Sequence, residues 1–264
     1  MKKEEIKSLL DSSVEYFNRK SFISSDPIQI PHFYSKREDI EIAGFIAATL
    51  AWGQRSVIIR NAFRILDSMP DGPYQFLLEA GDEEFSYFES FKHRTFNGED
   101  CVFFLKSLAN IYKNHGGLKS VFEEGFREKG HIPGAIKNFR NTFFNIPFPK
   151  RTLKHIADIE NNAAGKRLNM YLRWMVRKDN NGVDFGLWDI PASALYIPLD
   201  LHSGKVSREL GLLKRKQDDW KAVQELTFRL REFDPEDPIK YDFALFGLSA
   251  LGKNYNDAEQ LVQV

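Results

Sequence analysis

Two segments in the C-terminal half hold the residues best suited to chemistry. The first runs Gly165-Lys166-Arg167-Leu168-Asn169-Met170-Tyr171-Leu172-Arg173-Trp174-Met175-Val176-Arg177-Lys178. On a helix, Arg173 and Arg177 each lie within about 20° of Lys166 around the axis, and Leu168, Tyr171, Leu172 and Met175 form the opposing apolar stripe. Such a face offers cations to an anion. It also starts at a helix N-terminus, whose free N–H groups favour negative charge. A solvated basic face with a buried back would show the same pattern. The second segment is Ile197-Pro198-Leu199-Asp200-Leu201-His202-Ser203-Gly204-Lys205-Val206-Ser207-Arg208, and Gly211 closes it. Asp200 stands where an N-cap carboxylate belongs, and that role alone would account for it. His202 reads as a core or surface histidine.

Metal and thiol chemistry find little to work with. The chain has six histidines (32, 93, 115, 131, 155 and 202), and none shows H-x-x-x-H or H-E-x-x-H spacing. Cys101 is the single cysteine, so a disulfide framework and a four-cysteine zinc or iron–sulfur site are excluded. No metal and no cofactor is expected.

Together the two segments resemble a known pattern. Pro198-Leu199-Asp200-Leu201-His202-x-x-Lys205-Val206 resembles the P-V-D-x-H-x-x-R-V signature of the helix-hairpin-helix DNA glycosylase superfamily. Upstream, Asn162-Ala163-Ala164-Gly165-Lys166-Arg167-Leu168-Asn169 occupies the place of that superfamily's G-x-G-x-K hairpin. Further upstream, Leu50-Ala51-Trp52-Gly53-Gln54 resembles its helix-ending L-S-x-Q. The landmarks stand in family order over residues 35–255. The chain is also similar to a bacterial family of hypothetical proteins through blocks such as K-R-L-N-M-Y-L-R-W-M-V-R and D-P-I-K-Y-D-F-A-L-F.

The resemblance implies an all-α, helix-hairpin-helix glycosylase-like fold. Residues 1–264 would form one domain of two helical lobes flanking a cleft, with the hairpin and catalytic region at about 158–211. It places Lys166 on the Schiff-base lysine and Asp200 on the catalytic aspartate, while Gln54 would lie near the flipped nucleotide. Met170, one turn after Lys166, would line the base pocket. Phe243 and Phe246 are candidates for stacking on the base, and Trp52 for packing near it, although in a chain with 23 phenylalanines the core competes for such rings. Gly165, Arg167, Arg173, His202, Lys205 and Arg208 would meet the DNA backbone. A lysine amine must lose its proton to attack C1′; burial and a neighbouring cation such as Arg173 would favour that loss.

The departures are specific. Asp200 lies 34 residues after Lys166, a gap longer than most of the superfamily shows and similar to that of the archaeal 8-oxoguanine glycosylase branch. The extra residues fall at 179–196, around Gly182 and Trp188. Asn162 and Ala164 replace the hairpin glycines. Asn tolerates a left-handed backbone and Ala does so poorly, which predicts a remodelled hairpin. The implied activity is removal of a damaged base, an oxidised purine among the candidates, from double-stranded DNA, with or without lyase activity. Two other readings stay open: a non-catalytic DNA-binding protein on the same fold, and an all-helical protein-interaction module.

The elements that must position these residues are helical. Ser35 and Glu38 have capping-box spacing before the apolar run Ile40 to Leu50, Gly53 breaks that helix, and another starts near Arg55. Asn97 and Asp100 suit the start of a helix through Tyr112 that Gly116-Gly117 stops. Further helices fit 118–128 and 132–144, and Asp237-Pro238 is an N-cap followed by proline that opens Tyr241 to Leu251. A short extended segment is expected at Ile28 to Phe33. At 264 residues the chain can bury a full core.

Apolar residues make up 42%, and 37 basic residues balance 37 acidic ones, so a strongly basic coat is excluded for the chain as a whole. Charge is nevertheless sorted: residues 79–100 hold seven acids and two bases, residues 150–178 eight bases and two acids, and residues 200–231 eight bases and five acids. The two basic stretches form a candidate phosphate-facing surface. No signal peptide and no 18-residue apolar stretch is visible. The expectation is a monomer without membrane contact, cytoplasmic and nucleoid-associated.

Overall fold

A computed structural model describes residues 1–251; the last four residues of the resemblance, 252–255, lie outside them. The chain order is α1 (Lys3–Phe17), α2 (Lys20–Ile23), α3 (Arg37–Leu50), α4 (Arg55–Leu66), α5 (Pro73–Glu79), α6 (Asp82–Ser86), the strands β1 (Lys92–His93) and β2 (Phe96–Asn97), α7 (Gly98–Asn114), α8 (Gly117–Lys129), α9 (Ile132–Phe143), α10 (Lys166–Val176), α11 (Leu201–Glu209), α12 (Trp220–Arg231) and α13 (Tyr241–Leu251). The protein is mostly helical, as its apolar periodicity predicts. Among the described residues no helix is long and apolar enough to cross a membrane.

The chain divides into two compact units: one holds Met1–Ser24, Asp158–Gly186 and the chain from Pro191 onward, and the other holds Ser25–Ala157 and Leu187–Ile190. Lys166 and Asp200 both belong to the first.

The second unit is built around α3, of whose 14 residues 11 are buried. A helix apolar on all sides must be central. Phenylalanine rings surround it: Phe45 meets Phe104, Phe139 and Phe143, and Phe122 stacks between Phe139 and Trp188. The one buried acid of α3, Glu41, accepts hydrogen bonds from Tyr112 Oη (2.8 Å) and Trp188 Nε1 (2.9 Å). Asn97 caps α7 in a capping box with Asp100, as the sequence predicts. A two-stranded hairpin pairs Lys92 with Asn97 and His93 with Phe96; its strands are too short to leave an alternating pattern.

In the first unit α13 packs against α1 and α11, and Phe22 lies edge-on to Phe243. Here α10 buries Leu168, Tyr171, Leu172, Trp174 and Met175.

Three local expectations are corrected. The Ser35–Glu38 capping box does not form: the N-cap of α3 is Lys36, with no side-chain bond. The segment at Ile28 to Phe33 is not extended; prolines 27 and 31 each start a 3₁₀ turn, at Pro27–Gln29 and Pro31–Phe33, and their fixed φ favours such turns. Asp237-Pro238 opens a 3₁₀ turn, Pro238–Lys240, ahead of α13, and Asp237 is instead engaged by Arg177.

Candidate active site

Lys166 and Asp200 are the first pair that the fold brings together: Lys166 Nζ is 3.2 Å from Asp200 Oδ2. Each stands at a helix start, Lys166 as the first residue of α10 and Asp200 as the N-cap of α11. Asp200 Oδ1 accepts from the backbone N–H groups of His202 (2.9 Å) and Ser203 (3.0 Å). Its Oδ2 faces the lysine. Capping and pairing therefore use different oxygens of one carboxylate. Burial tends to raise the Asp200 pKa, but the Lys166 charge and the two N–H donors outweigh it and hold the carboxyl below its usual range.

The turn that launches α10 has two left-handed residues, Asn162 (φ +65°) and Gly165 (φ +65°). Asparagine tolerates this backbone, as the sequence predicts. The second left-handed position falls on Gly165 and not on Ala164, so the hairpin is remodelled without straining an alanine. A Cβ on Gly165 would lie 3.1 Å from Ile159 Cγ2. Asn162 also does what a glycine could not: its amide donates to Asp219 Oδ2 at the N-cap of α12 (2.9 Å). No side chain caps α10 itself. A helix start of this kind favours an anion.

Beyond this pair lies a buried charge network that the sequence reading does not contain. Asp242, near the start of α13, accepts from Arg173 Nη1. Arg173 Nε in turn donates to Asp184 Oδ1 (3.2 Å), which shares its carboxylate with Arg177 (3.0 Å). Burial first, and the nearby Asp200 charge against the opposing pull of Arg173, push the Asp242 carboxyl up to about 6. The Lys166 charge pulls it the other way, as Arg173 does. A visible signal existed: Asp242 is the sole charged residue of the otherwise apolar helix 241–251.

Two expected site residues, Arg173 and Phe243, are corrected by their burial in this network. Arg173 is 4% exposed and locked between two aspartates. It is no part of a cationic ridge, and it offers Lys166 no bare positive charge. Arg177 is buried too, paired with Asp184 and Asp237. The face shared by Lys166, Arg173 and Arg177 runs from the surface into the interior along α10. Phe243 is 1% exposed, with the Arg173 and Arg177 guanidinia 4.4 and 5.5 Å from its ring centre. It is a core ring and not a stacking platform. Phe246 is half-buried against Phe22.

Other predicted residues remain accessible. Met170 is half-buried one turn after Lys166, and His202 and Lys205 are exposed on α11. Arg208 is half-exposed and pairs with Asp218 at 2.5 Å. Arg167 is half-buried, and burial lowers its guanidinium to about 10, still cationic at neutral pH. Trp52 and Gln54 lie in the second unit. Gln54 is exposed at the start of α4, and Trp52 is half-buried between the rings of His93 and His155. The inserted stretch 179–196 is divided: Asp184 sits in the charge network of the first unit, and Leu187–Ile190 belong to the second. Among the described residues no group of three or more His, Cys, Asp or Glu side chains is arranged to hold a metal ion.

Residues 26–251 match the family described as a protein of unknown function, DUF2400. The chain belongs to the DUF2400 family. No curated protein and no solved structure matches it. The DUF2400 match takes in Gln54, Lys166, Asp200 and Asp242, and it starts after α1 and α2.

Proposed function

We propose that this DUF2400 protein is a DNA glycosylase with lyase activity, acting on a damaged base in double-stranded DNA through Lys166 and Asp200. The observation that carries the reading is the half-exposed amine 3.2 Å from a carboxylate oxygen left free by the helix cap. Lys166 passes its proton to Asp200 Oδ2. The neutral amine then forms a bond to C1′ as the C1′–N glycosidic bond breaks. The base departs with that electron pair and takes the proton from Asp200. Transfer of a further amine proton through Asp200 to O4′ breaks the C1′–O4′ bond, opens the sugar ring and leaves a protonated imine between Lys166 and C1′. The uncapped N–H groups of α10, together with Lys205 and His202 on α11, hold backbone phosphates. The resemblance to the helix-hairpin-helix superfamily supports this assignment of roles, and an oxidised purine is the favoured lesion.

Borohydride trapping tests it. Duplexes carrying 8-oxoguanine, uracil, an alkylated base or an abasic site are incubated with the full chain and reductant. A covalent adduct on a lesion duplex is expected with wild type, none with Lys166→Gln, and a reduction on the order of 10²-fold or more in rate with Asp200→Asn. Asparagine caps a helix about as well as aspartate, whereas Asp200→Ala should cost roughly 1 kcal/mol of stability in denaturant titration. Trapping that survives Lys166→Gln would remove Lys166 as the nucleophile. Base release that survives both substitutions would end the reading.

A further inference from the structure

Three surface segments of the second unit converge on one buried polar network, and together they carry six cations and no acid: 52–55 (Trp-Gly-Gln-Arg), 92–95 (Lys-His-Arg-Thr) and 150–154 (Lys-Arg-Thr-Leu-Lys). The network is well defined. His93 is buried, with Nδ1 2.9 Å from Asn61 Nδ2 and Nε2 3.3 Å from the Trp52 carbonyl. His155 Nε2 lies 3.1 Å from the fully buried Asp100, and its ring meets those of Trp52 and Phe96. Arg151 donates to Asp100, to Asn97 Oδ1 and to the Thr95 carbonyl (3.1 Å). One side chain from the third segment thus fixes the second, and one side chain from the second fixes the first.

What this scaffold presents outward is charge. Lys92, Arg94, Lys150 and Lys154 are exposed. None of the four has a carboxylate partner among the described residues, whereas Arg151 is used up internally. Besides Asp100, Arg151 has the exposed Glu99 at 3.8 Å, and Glu89 and Glu99 line the same hollow as Lys92. Arg94 holds a left-handed backbone (φ +55°), a conformation unfavourable for its side chain, at the tip of the hairpin. Its guanidinium lies against Gly53, whose own φ is +105°: a Cβ there would be 2.9 Å from Arg94 Nη1. Glycine at 53 is what lets the arginine tip and the Gln54 turn share one surface. Four exposed cations without a carboxylate partner, held at the tips of adjoining turns, suit a polyanion with regularly spaced phosphates.

We propose that this three-segment surface is a second phosphate-binding site for duplex DNA, separate from the Lys166–Asp200 pair and contributing affinity instead of chemistry. It rests on the reading of the protein as DNA-binding. The test is fluorescence anisotropy of a lesion-free labelled duplex with the full chain, from about 50 to about 200 mM salt. A triple variant, Arg94→Ala, Lys150→Ala and Lys154→Ala, alters exposed positions outside the buried network. It should keep the wild-type melting temperature, bind on the order of tenfold or more weakly at low salt, and lose about 2 to 3 units of the log K against log salt slope. The charge-preserving set Arg94→Lys, Lys150→Arg and Lys154→Arg should restore most of both. Wild type that binds while the triple variant binds equally well, with the same slope, would overturn the surface and leave the DNA reading standing. Wild type that does not bind duplex even at low salt would overturn both.

Discussion

Asp242 is the residue whose state reports most directly on the site. Its carboxyl sits near 6 because burial and the Asp200 charge penalise ionisation more than Arg173 and Lys166 favour it. Each neighbour therefore has a predictable sign. Removing a negative charge with Asp200→Asn should lower the Asp242 value, and removing a positive one with Lys166→Gln should raise it; carbon NMR titration of the side-chain carboxyl reads both. The stability consequence follows from linkage. The folded state holds this proton more tightly than the unfolded chain, so this group's contribution falls as pH rises from about 4 to about 6 and is flat above. Asp200 acts with the opposite sign and in a lower window: its contribution is present above its ordinary carboxylate value and is lost as pH falls through its depressed one. Equal Asp242 titration in wild type and both variants would place it outside the site. At this scale the sequence was uneven. Lys166 and Asp200 were picked out by their resemblance to the glycosylase motif; the proline, the glycine and the two helix starts around them fix only where they sit. The burial of Arg173, Arg177 and Phe243 was not legible, because helical periodicity gives an angle around the axis and says nothing of how deep the far end of that face runs.

Helices, their stops and their caps were the most legible elements. The break at Gly53, the cap at Asn97 and the stop at Gly116-Gly117 are local events that sequence chemistry decides. The inserted stretch 179–196 was opaque, because its role depends on partners far away in the chain. Trp188 is the case in point: its ring stacks on Phe122, and its Nε1–H serves Glu41, 147 residues earlier. Glu41 is pushed up by burial, against the lowering effects of Trp188, Tyr112 and Arg37. Two substitutions separate packing from hydrogen bonding. Trp188→Phe keeps an aromatic ring and removes the donor, and should cost about 1–3 kcal/mol in urea titration. Trp188→Ala also opens a cavity and should cost about 3–5 kcal/mol. Equal cost for the two would mean that the ring packing contributes little and the Glu41 bond carries the whole effect.

On the scale of the whole molecule, zero net charge conceals two different uses of basic residues. Some are spent inside: Arg151, Arg173 and Arg177 hold buried aspartates, and an arginine so committed gives nothing to a phosphate. Others, such as Lys92, Arg94, Lys150 and Lys154, are exposed on the second unit. Composition cannot distinguish the two, which is why the basic stretch 150–178 reads as one surface and folds as several things. The proposed division of labour makes chemistry and affinity separable. Lys166→Gln should bind lesion duplex within a few-fold of wild type, with a salt slope changed by no more than about one charge, yet form no borohydride adduct. The triple variant at Arg94, Lys150 and Lys154 should show the converse. It needs more duplex, but once saturated at low salt it should trap at the wild-type single-turnover rate, because a contact that serves ground state and transition state alike raises affinity without accelerating the bond change. A triple variant that is slow even when saturated would show that these cations act on the chemical step, and the separation of affinity from chemistry would fail.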